Sequence, residues 1–282
     1  MAAIDIQRIR EAAAGEDLAI ETVDETGSTN RVLMEAPFGR APAGPRLLAA
    51  ARQTAGRGRR GRGWVMEPGR SVAFSLAIER TVAATSPPPS GLPVAVGVAI
   101  AQALAPCAAG LRLKWPNDLQ RDGRKLGGIL VETRRGAGAQ SPIERLVVGV
   151  GINLFVPRDP GATIGQPVTG LFDDEDGPSD ASAQPMVPET VIGLVAAAIN
   201  AAARRVLVEG LAPFLAAWQR LDALDGQPVV VLDHAGVAVQ QGIARGIDDS
   251  GALLVETSDG VCKLSSGEVS LRALRSPDGD LA

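Results

Sequence analysis

Residues 46–79 read RLLAAARQTAGRGRRGRGWVMEPGRSVAFSLAIE, and the fold turns on whether the glycine-arginine segment within them runs into a helix or a strand. Taken alone, GRGRRG at 56–61 satisfies the G-x-G-x-x-G pattern of a dinucleotide site. That use needs a helix opening at the end of the loop, so that backbone N–H groups and the helix dipole meet a pyrophosphate. Here SVAFSLAIE comes next, a buried-strand pattern like the RLLAAARQ before it, so the loop joins strand to strand and the dinucleotide reading is rejected. Arg57, Arg59, Arg60 and Arg62 then need another purpose. Guanidinium groups fork onto phosphate oxygens, and glycines that are costly to order leave such a loop mobile until an anion organises it. The plainer alternatives are a solvated RGG-like segment or a nucleic-acid patch, with Trp64 either stacking on a base or simply packing.

Outward from this loop, residues 5–13 read as a short helix and LAIETVDETGSTN as a strand entering a turn, with a helix from Asn30. Leu92 to Leu111 carries a single polar side chain, Gln102, but Pro93 and Pro106 leave about a dozen helical residues, too few to cross a bilayer, so a buried helix is expected. LRLKWPNDLQRDGRKLGGILVETR reads as a strand to Lys114, a Trp-Pro-Asn-Asp turn, a hairpin tip at Asp122-Gly123 and a second strand from Leu126. RLVVGVGINL is again a buried strand. Residues 157–188, with an acidic run at Asp173 to Asp176, read as an irregular excursion, and two helices come after it. Past Gly226 the pattern changes to short strands between turn signals, which predicts a small five-stranded barrel that leans on the larger domain.

The 282 residues carry a formal charge of −4, so the arginine loop is a local positive feature on an acidic chain, unlike the broad basic surface of a general nucleic-acid binder. Cys107 and Cys262 fit neither a disulfide framework nor a metal motif, and the charged start has no apolar signal region; both point to a cytoplasmic protein. One histidine, His234, excludes Ser-His-Asp and Cys-His catalysis and a histidine-based zinc site, and no P-loop motif occurs. Chemistry must rest on arginine, lysine and backbone donors, which favours electrostatic stabilisation of phosphoryl or nucleotidyl transfer.

Two further motifs fit that chemistry. KWPND, Lys114 to Asp118, is followed by Arg124-Lys125-Leu126-Gly127-Gly128. Glycines beside Lys125 remove side chains that would block its approach to an anion, and Asp118 is placed to orient an amine. The alternatives are a plain tight turn and a solvated hairpin lysine. In GVGIN, Gly149 to Asn153, the glycines allow a ligand against the strand and the Asn153 amide suits a purine edge.

Together, ETGSTN at 25–30, RQTAGRGRRGRGW at 52–64, Phe74-Ser75-Leu76, KWPND, RKLGGILVE at 124–132, VVGVGINL at 147–154, GIARGIDDSGALLVE and GEVSLR closely resemble the biotin protein ligases, in order and spacing, over most of residues 21–273. The resemblance implies an α+β fold: a class II synthetase-like mixed sheet with helices in a ligase domain, residues 1–226, and an SH3-like barrel in residues 227–282. It implies formation of biotinoyl-5′-AMP from biotin and Mg-ATP, then transfer to a lysine of a biotin carboxyl carrier protein, with no tightly bound metal. By motif, Ser28, Thr29 and Gln53 hold the ureido head of biotin, with Gly56, Arg57, Arg59, Gly127 and Gly128 also at the biotin site. Arg57, Arg60, Arg62, Trp64, Asn117, Lys125 and Asn153 serve ATP and the adenylate. Lys125, Arg59 and Asp118 carry the catalysis, with Lys125 bridging the biotin carboxylate and α-phosphate, and the arginine loop acts as a lid that orders over the intermediate. The chain starts almost at the ligase domain, so no DNA-binding module and no operator binding are expected. The 157–188 segment is longer and more acidic than the family's usual connection, and Phe155 stands where many relatives have a polar residue. A homodimer is compatible with the family. A lipoate-type ligase and a non-catalytic nucleotide- or nucleic-acid-binding module remain the rival readings.

Overall fold

A computed structural model describes residues 4–38, 44–83, 85, 89–138, 141–158, 167–172, 187–233, 237–265 and 270–273. His234 and the acidic run at 173–176 lie outside them, as does most of the 157–188 segment. Along the chain come α1 (Ile6–Ala12), β1 (Ala19–Thr26), α2 (Thr29–Glu35), β2 (Arg46–Gln53), β3 (Ser71–Thr81), α3 (Leu92–Leu104), β4 (Leu111–Lys114), β5 (Asp118–Arg121), β6 (Arg124–Gly136), β7 (Ile143–Asn153), α4 (Pro188–Glu209) and α5 (Ala212–Leu221). Five short strands complete the order: β8 (Pro228–Leu232), β9 (Ala238–Ile247), β10 (Leu253–Thr257), β11 (Gly260–Leu264) and β12 (Ser270–Ala273).

The first seven strands form one mixed sheet in the order β1-β2-β3-β7-β6-β5-β4, parallel between β1 and β2 and antiparallel elsewhere. The two most apolar strands, β3 and β7, lie side by side at its centre, paired from Ser71↔Asn153 to Thr81↔Ile143. Alternation sorts their side chains. Val72, Phe74, Leu76 and Ile78, with Leu146, Val148, Val150 and Ile152, enter the main core beneath α3 and α4. Ser75, Ala77, Val147 and Gly149 face α2 instead. The helix side therefore seals the core, and the α2 side is left for a site.

The helices form where expected. Asp5 caps α1 by accepting from the N–H groups of Gln7 (2.9 Å) and Arg8 (3.3 Å). Helix α3 is buried on nearly every side between the sheet, α4 and α5, as its uniform apolar sequence requires. Helix α4 is long and apolar enough to cross a membrane by length and composition, yet its Val191, Val195, Ile199, Ala203 and Val206 are core residues packed with α1, α3 and β3. At Gly193 a Cβ would overlap the Ile9 carbonyl, so the α1–α4 contact depends on the missing side chain.

Between Leu111 and Gly136 there are three strands rather than two, because Asp118–Arg121 pairs with both β4 and β6. The register between β5 and β6 slips at Leu119/Gln120, leaving Leu126 as a bulged residue between Lys125 and Gly127. The five strands expected near the C-terminus are present as an antiparallel sheet in the order β11-β10-β9-β8-β12. Its Val229, Val231, Ala244, Leu253 and Val255 join the main core. A second tie is the Trp115 indole N–H, which donates to the Gly251 carbonyl (3.0 Å) and links the Trp-Pro-Asn-Asp turn to the β9–β10 turn.

Candidate active site

On the α2 side of the sheet, a cavity of about 520 Å³ opens between the N-terminus of α2, the glycine-arginine loop, the turn after β4, and the first residues of β6. It gathers Ser28, Thr29, Gln53, Arg57, Arg59, Arg60, Arg62, Trp64, Asn117, Asp118, Lys125, Gly128 and Asn153, drawn from five separate stretches of the sequence. Gly56 and Gly127 are not among the lining residues. A Cβ on Gly56 would overlap the Trp64 carbonyl, and one on Gly127 the Gly151 carbonyl, so these glycines let backbone meet backbone rather than a ligand.

The loop is a tight hairpin. Gly58 N–H donates to the Arg62 carbonyl (2.7 Å), Trp64 N–H to the Gly56 carbonyl (2.9 Å), and Arg57 bridges Gly63, with a short 3₁₀ turn over Arg59–Gly61 at the tip. Arg60 sits in the left-handed region at φ 57°, an uncommon conformation for a non-glycine residue. In this conformation the loop is closed by its own backbone bonds. Two of its arginines also hold the body of the domain: Arg57 contacts Glu132 (3.1 Å) and Arg59 contacts the side-chain carbonyl of Asn117 (3.3 Å). Burial presses the Arg59 guanidinium below its ordinary value; Arg60 adds to this, Asp118 opposes it and Arg62 adds further. A cluster whose members disfavour one another's charge is relieved by an anion.

Lys125 reaches the cavity because of the bulge at Leu126. Strict alternation back from Glu132, Leu130 and Gly128 would place Leu126 on the cavity side and Lys125 in the core. Instead Leu126 is fully buried in the core and Lys125 lines the cavity, its Nζ 2.8 Å from Asp118 Oδ1. The Lys125 backbone is fixed from outside the sheet: its N–H donates to Pro167 and its carbonyl accepts from Thr169, both at 2.9 Å. Asn117 clamps the turn to β6, donating from Nδ2 to the Ile129 carbonyl (2.8 Å) and accepting Ile129 N–H (2.9 Å) on its backbone carbonyl.

At the other end, Gln53 Oε1 accepts from Thr29 N–H (2.7 Å), and Thr29 Oγ1 lies 2.7 Å from Ser75 Oγ. Ser28 is buried at the N-cap of α2, yet its hydroxyl makes no capping bond and faces the cavity. Asn153 Nδ2 donates to the Thr169 carbonyl (3.2 Å), tying β7 to the 167–172 segment beneath Lys125. Gly149 and Gly151 of GVGIN line the cavity and also make room for the protein itself: a Cβ at Gly149 would overlap the Asn30 amide, and one at Gly151 would overlap the Trp64 ring. Trp64 thus packs on the sheet over Gly151, and its buried indole N–H has no partner among the described residues.

Sequence reasoning missed Asn30, Ser75 and Glu132 as parts of this site, although all three stand in the stretches that carried the resemblance. A serine in the middle of an eight-residue fully buried run was the available signal for Ser75. Among the described residues no three His, Cys, Asp or Glu side chains come together to hold a metal. The carboxylates lining the cavity, Asp118 and Glu67, face Lys125 and Arg70 respectively.

Comparison with known proteins finds relatives of the chain and of its fold. Residues 23–153 match the model of the biotin/lipoate A/B protein ligase family, and residues 226–272 match the biotin protein ligase C-terminal domain. The chain is 35% identical to the bifunctional ligase/repressor BirA of Escherichia coli over 87% of this chain and 72% of that one. It is 34% identical to the biotin--[acetyl-CoA-carboxylase] ligase of Paracoccus denitrificans, over 86% and 97% of the two chains. Its fold matches that of the biotin protein ligase from Aquifex aeolicus, solved in complex with biotin and ATP, with a TM-score of 0.68 at 24% identity, covering 91% of this chain and 99% of that one.

Proposed function

The chain belongs to the biotin protein ligases, and on that premise we propose that it condenses biotin with ATP to biotinoyl-5′-AMP and passes the biotinoyl group to a lysine of a biotin carboxyl carrier protein or domain. The observation that carries this reading is the division of one cavity into a neutral polar end, at Ser28, Thr29 and Gln53, and a cationic end, at the loop arginines and Lys125. An uncharged ureido ring suits the first and a phosphate the second.

In the first step a biotin carboxylate oxygen bonds to the α-phosphorus and the bond to the β-phosphate oxygen breaks, releasing pyrophosphate. Lys125 offsets the charge that gathers between carboxylate and α-phosphate, and Arg59, held by Asn117, faces the same charge. In the second step the acceptor amine bonds to the acyl carbon, AMP departs and the amine loses a proton. Asp118 aligns that amine through the carboxylate oxygen that Lys125 does not occupy. Mg²⁺ belongs to this reading only as the partner of ATP's phosphates, and no step is assigned to it. Asn153 and Trp64 flank the adenine end in the same reading. The division at Gly226 into a ligase domain, 1–226, and a C-terminal domain, 227–282, is part of it too, supported by the change of sheet between β7 and β8.

The test is biotin-dependent exchange of labelled pyrophosphate into ATP, with lipoate in parallel. We expect exchange with biotin alone and a loss of about 10²–10³-fold in Lys125→Ala, the scale of removing one preorganised charge-stabilising donor. Exchange with lipoate alone, or with neither acid, overturns the proposal; near-normal exchange by Lys125→Ala overturns the role of Lys125.

A further inference from the structure

A row of polar side chains runs beneath the cavity and ends on the arginine loop. Glu132 sits at the turning point. Its Oε2 accepts from Asn30 Nδ2 (3.0 Å) and its Oε1 from Arg57 (3.1 Å). Asn30 is buried, and its Oδ1 accepts from Ser75 Oγ at 2.6 Å. Since Ser75 has spent its single proton on Asn30, the 2.7 Å contact between Ser75 and Thr29 is donated by the Thr29 hydroxyl, for whose proton Gln53 Oε1 competes at the longer distance of 3.1 Å. Thr29 N–H in turn donates to Gln53 Oε1. The proton pattern therefore has one sense from Thr29 through Ser75 and Asn30 to Glu132, and Gln53 accepts at its far end. The carboxylate of Glu132 fixes which way the Asn30 amide points, Asn30 fixes Ser75, and Ser75 fixes the hydroxyl of Thr29.

Neither Glu132 nor the Asn30–Glu132 contact is needed to explain the cavity's chemistry, and Glu132 does not line the cavity. Yet it is the residue shared between the end that offers neutral polar groups and the loop that offers cations. We propose that Glu132 is a positioning residue that couples the two: it holds the loop closed through Arg57 and transmits the occupancy of the Thr29–Gln53 end to that closure through Asn30. This rests on the ligase reading for the identity of the neutral ligand, biotin. The Arg57–Glu132 contact is half-exposed, and an isolated surface pair of this kind holds little. Here Asn30 anchors the other carboxylate oxygen, so Glu132 presents a fixed acceptor to a loop whose other ties to the domain include the Arg59–Asn117 contact and Trp64 packed over Gly151.

Trypsin cleavage of the loop arginines, with fragments assigned by mass, reads the closure directly. Glu132→Gln keeps an oxygen for Asn30 but turns an N–H donor toward Arg57, so it opens the latch without removing the support of Asn30. In the ligand-free chain we expect cleavage about fivefold faster in Glu132→Gln, the population change given by about 1 kcal/mol. Arg57→Ala leaves Arg59, Arg60 and Arg62 as cleavage sites and should act alike, and the double variant should be no faster than either single one. Because coupling is reciprocal, Glu132→Gln should reduce the biotin protection of the loop and the affinity for biotin by the same factor. Unchanged cleavage in Glu132→Gln, additive effects of the two substitutions, or unequal factors overturn the coupling. A wild-type chain that gains no protection from biotin while the two substitutions remain non-additive overturns the ligase reading and leaves the Glu132 latch standing.

Discussion

Gly149→Ala is the sharpest test of how the site is built. A methyl group there would overlap the Asn30 Oδ1 atom and lie 2.8 Å from its Cγ. Asn30 cannot step aside freely, because it is buried at the start of α2 and bonded to both Ser75 and Glu132. Inserting one methyl group into a packed interior costs about 1–3 kcal/mol. Displacing Asn30 adds about 2 kcal/mol for its two hydrogen bonds, one of them to a carboxylate. The expected loss is about 3–5 kcal/mol, less where the backbone relaxes. Urea unfolding followed through the fluorescence of Trp64, Trp115 and Trp218 measures it as a lower midpoint at constant slope. The decisive comparison is with Asn30→Ala, which removes the obstructing amide. The Gly149→Ala/Asn30→Ala double variant should be about as stable as Asn30→Ala alone, so that the coupling equals the whole Gly149→Ala loss of about 3–5 kcal/mol. Gly149→Ala within about 0.5 kcal/mol of wild type, or additive effects in the double variant, would refute the packing argument.

Three other outcomes rest on single residues. Trp115→Phe loses the indole donor to Gly251 and strands a buried carbonyl; it should cost about 1–2 kcal/mol and speed hydrogen exchange in the β9–β10 turn, and unchanged exchange there would refute the tie. Arg145 is buried and donates to the carbonyls of Leu33, Met34, Ala36 and Pro37 while paired with Glu79, so Arg145→Met should destabilise by about 3–5 kcal/mol by chemical denaturation, the penalty of orphaning a buried partner. The Asp248 carboxyl is held down to about 2, first by the Ser250 hydroxyl and also by Lys263, against burial that would raise it. Its contribution is complete above the ordinary carboxylate value and is lost as pH falls through about 2; after solvent screening, Asp248→Asn should cost about 1–2 kcal/mol at pH 7 and almost nothing at pH 2.

Much of the fold was legible because local signals agreed with one another. Two apolar runs flanking the arginine segment could only be strands, and Pro93 with Pro106 bounded a buried helix that the structure places at Leu92–Leu104. The third strand at Asp118–Arg121 was hidden because four residues between a turn and a hairpin tip carry no periodicity to read. Composition, the single histidine and the missing phosphate-loop motif narrowed the chemistry to cations acting on an anion, and the ordered motifs pointed to the family.

The tertiary structure alone decided which residues share a face and which atoms meet. A bulge at Leu126, which no composition rule announces, reverses the alternation of β6 and turns Lys125 from the core to the cavity beside Asp118. The glycines of GVGIN line the cavity, and the sheet also brings Asn30 and Trp64 against them, which no local reading of the motif shows. Asn30 and Glu132 stand 102 residues apart in sequence and one hydrogen bond apart in space, with Ser75 joined to the same amide, because β3 and β6 flank β7 beneath α2. Sequence determines residue types and local periods, which set the chemistry that is possible; register and strand order are long-range choices of the whole core, and they determine which of those residues act together.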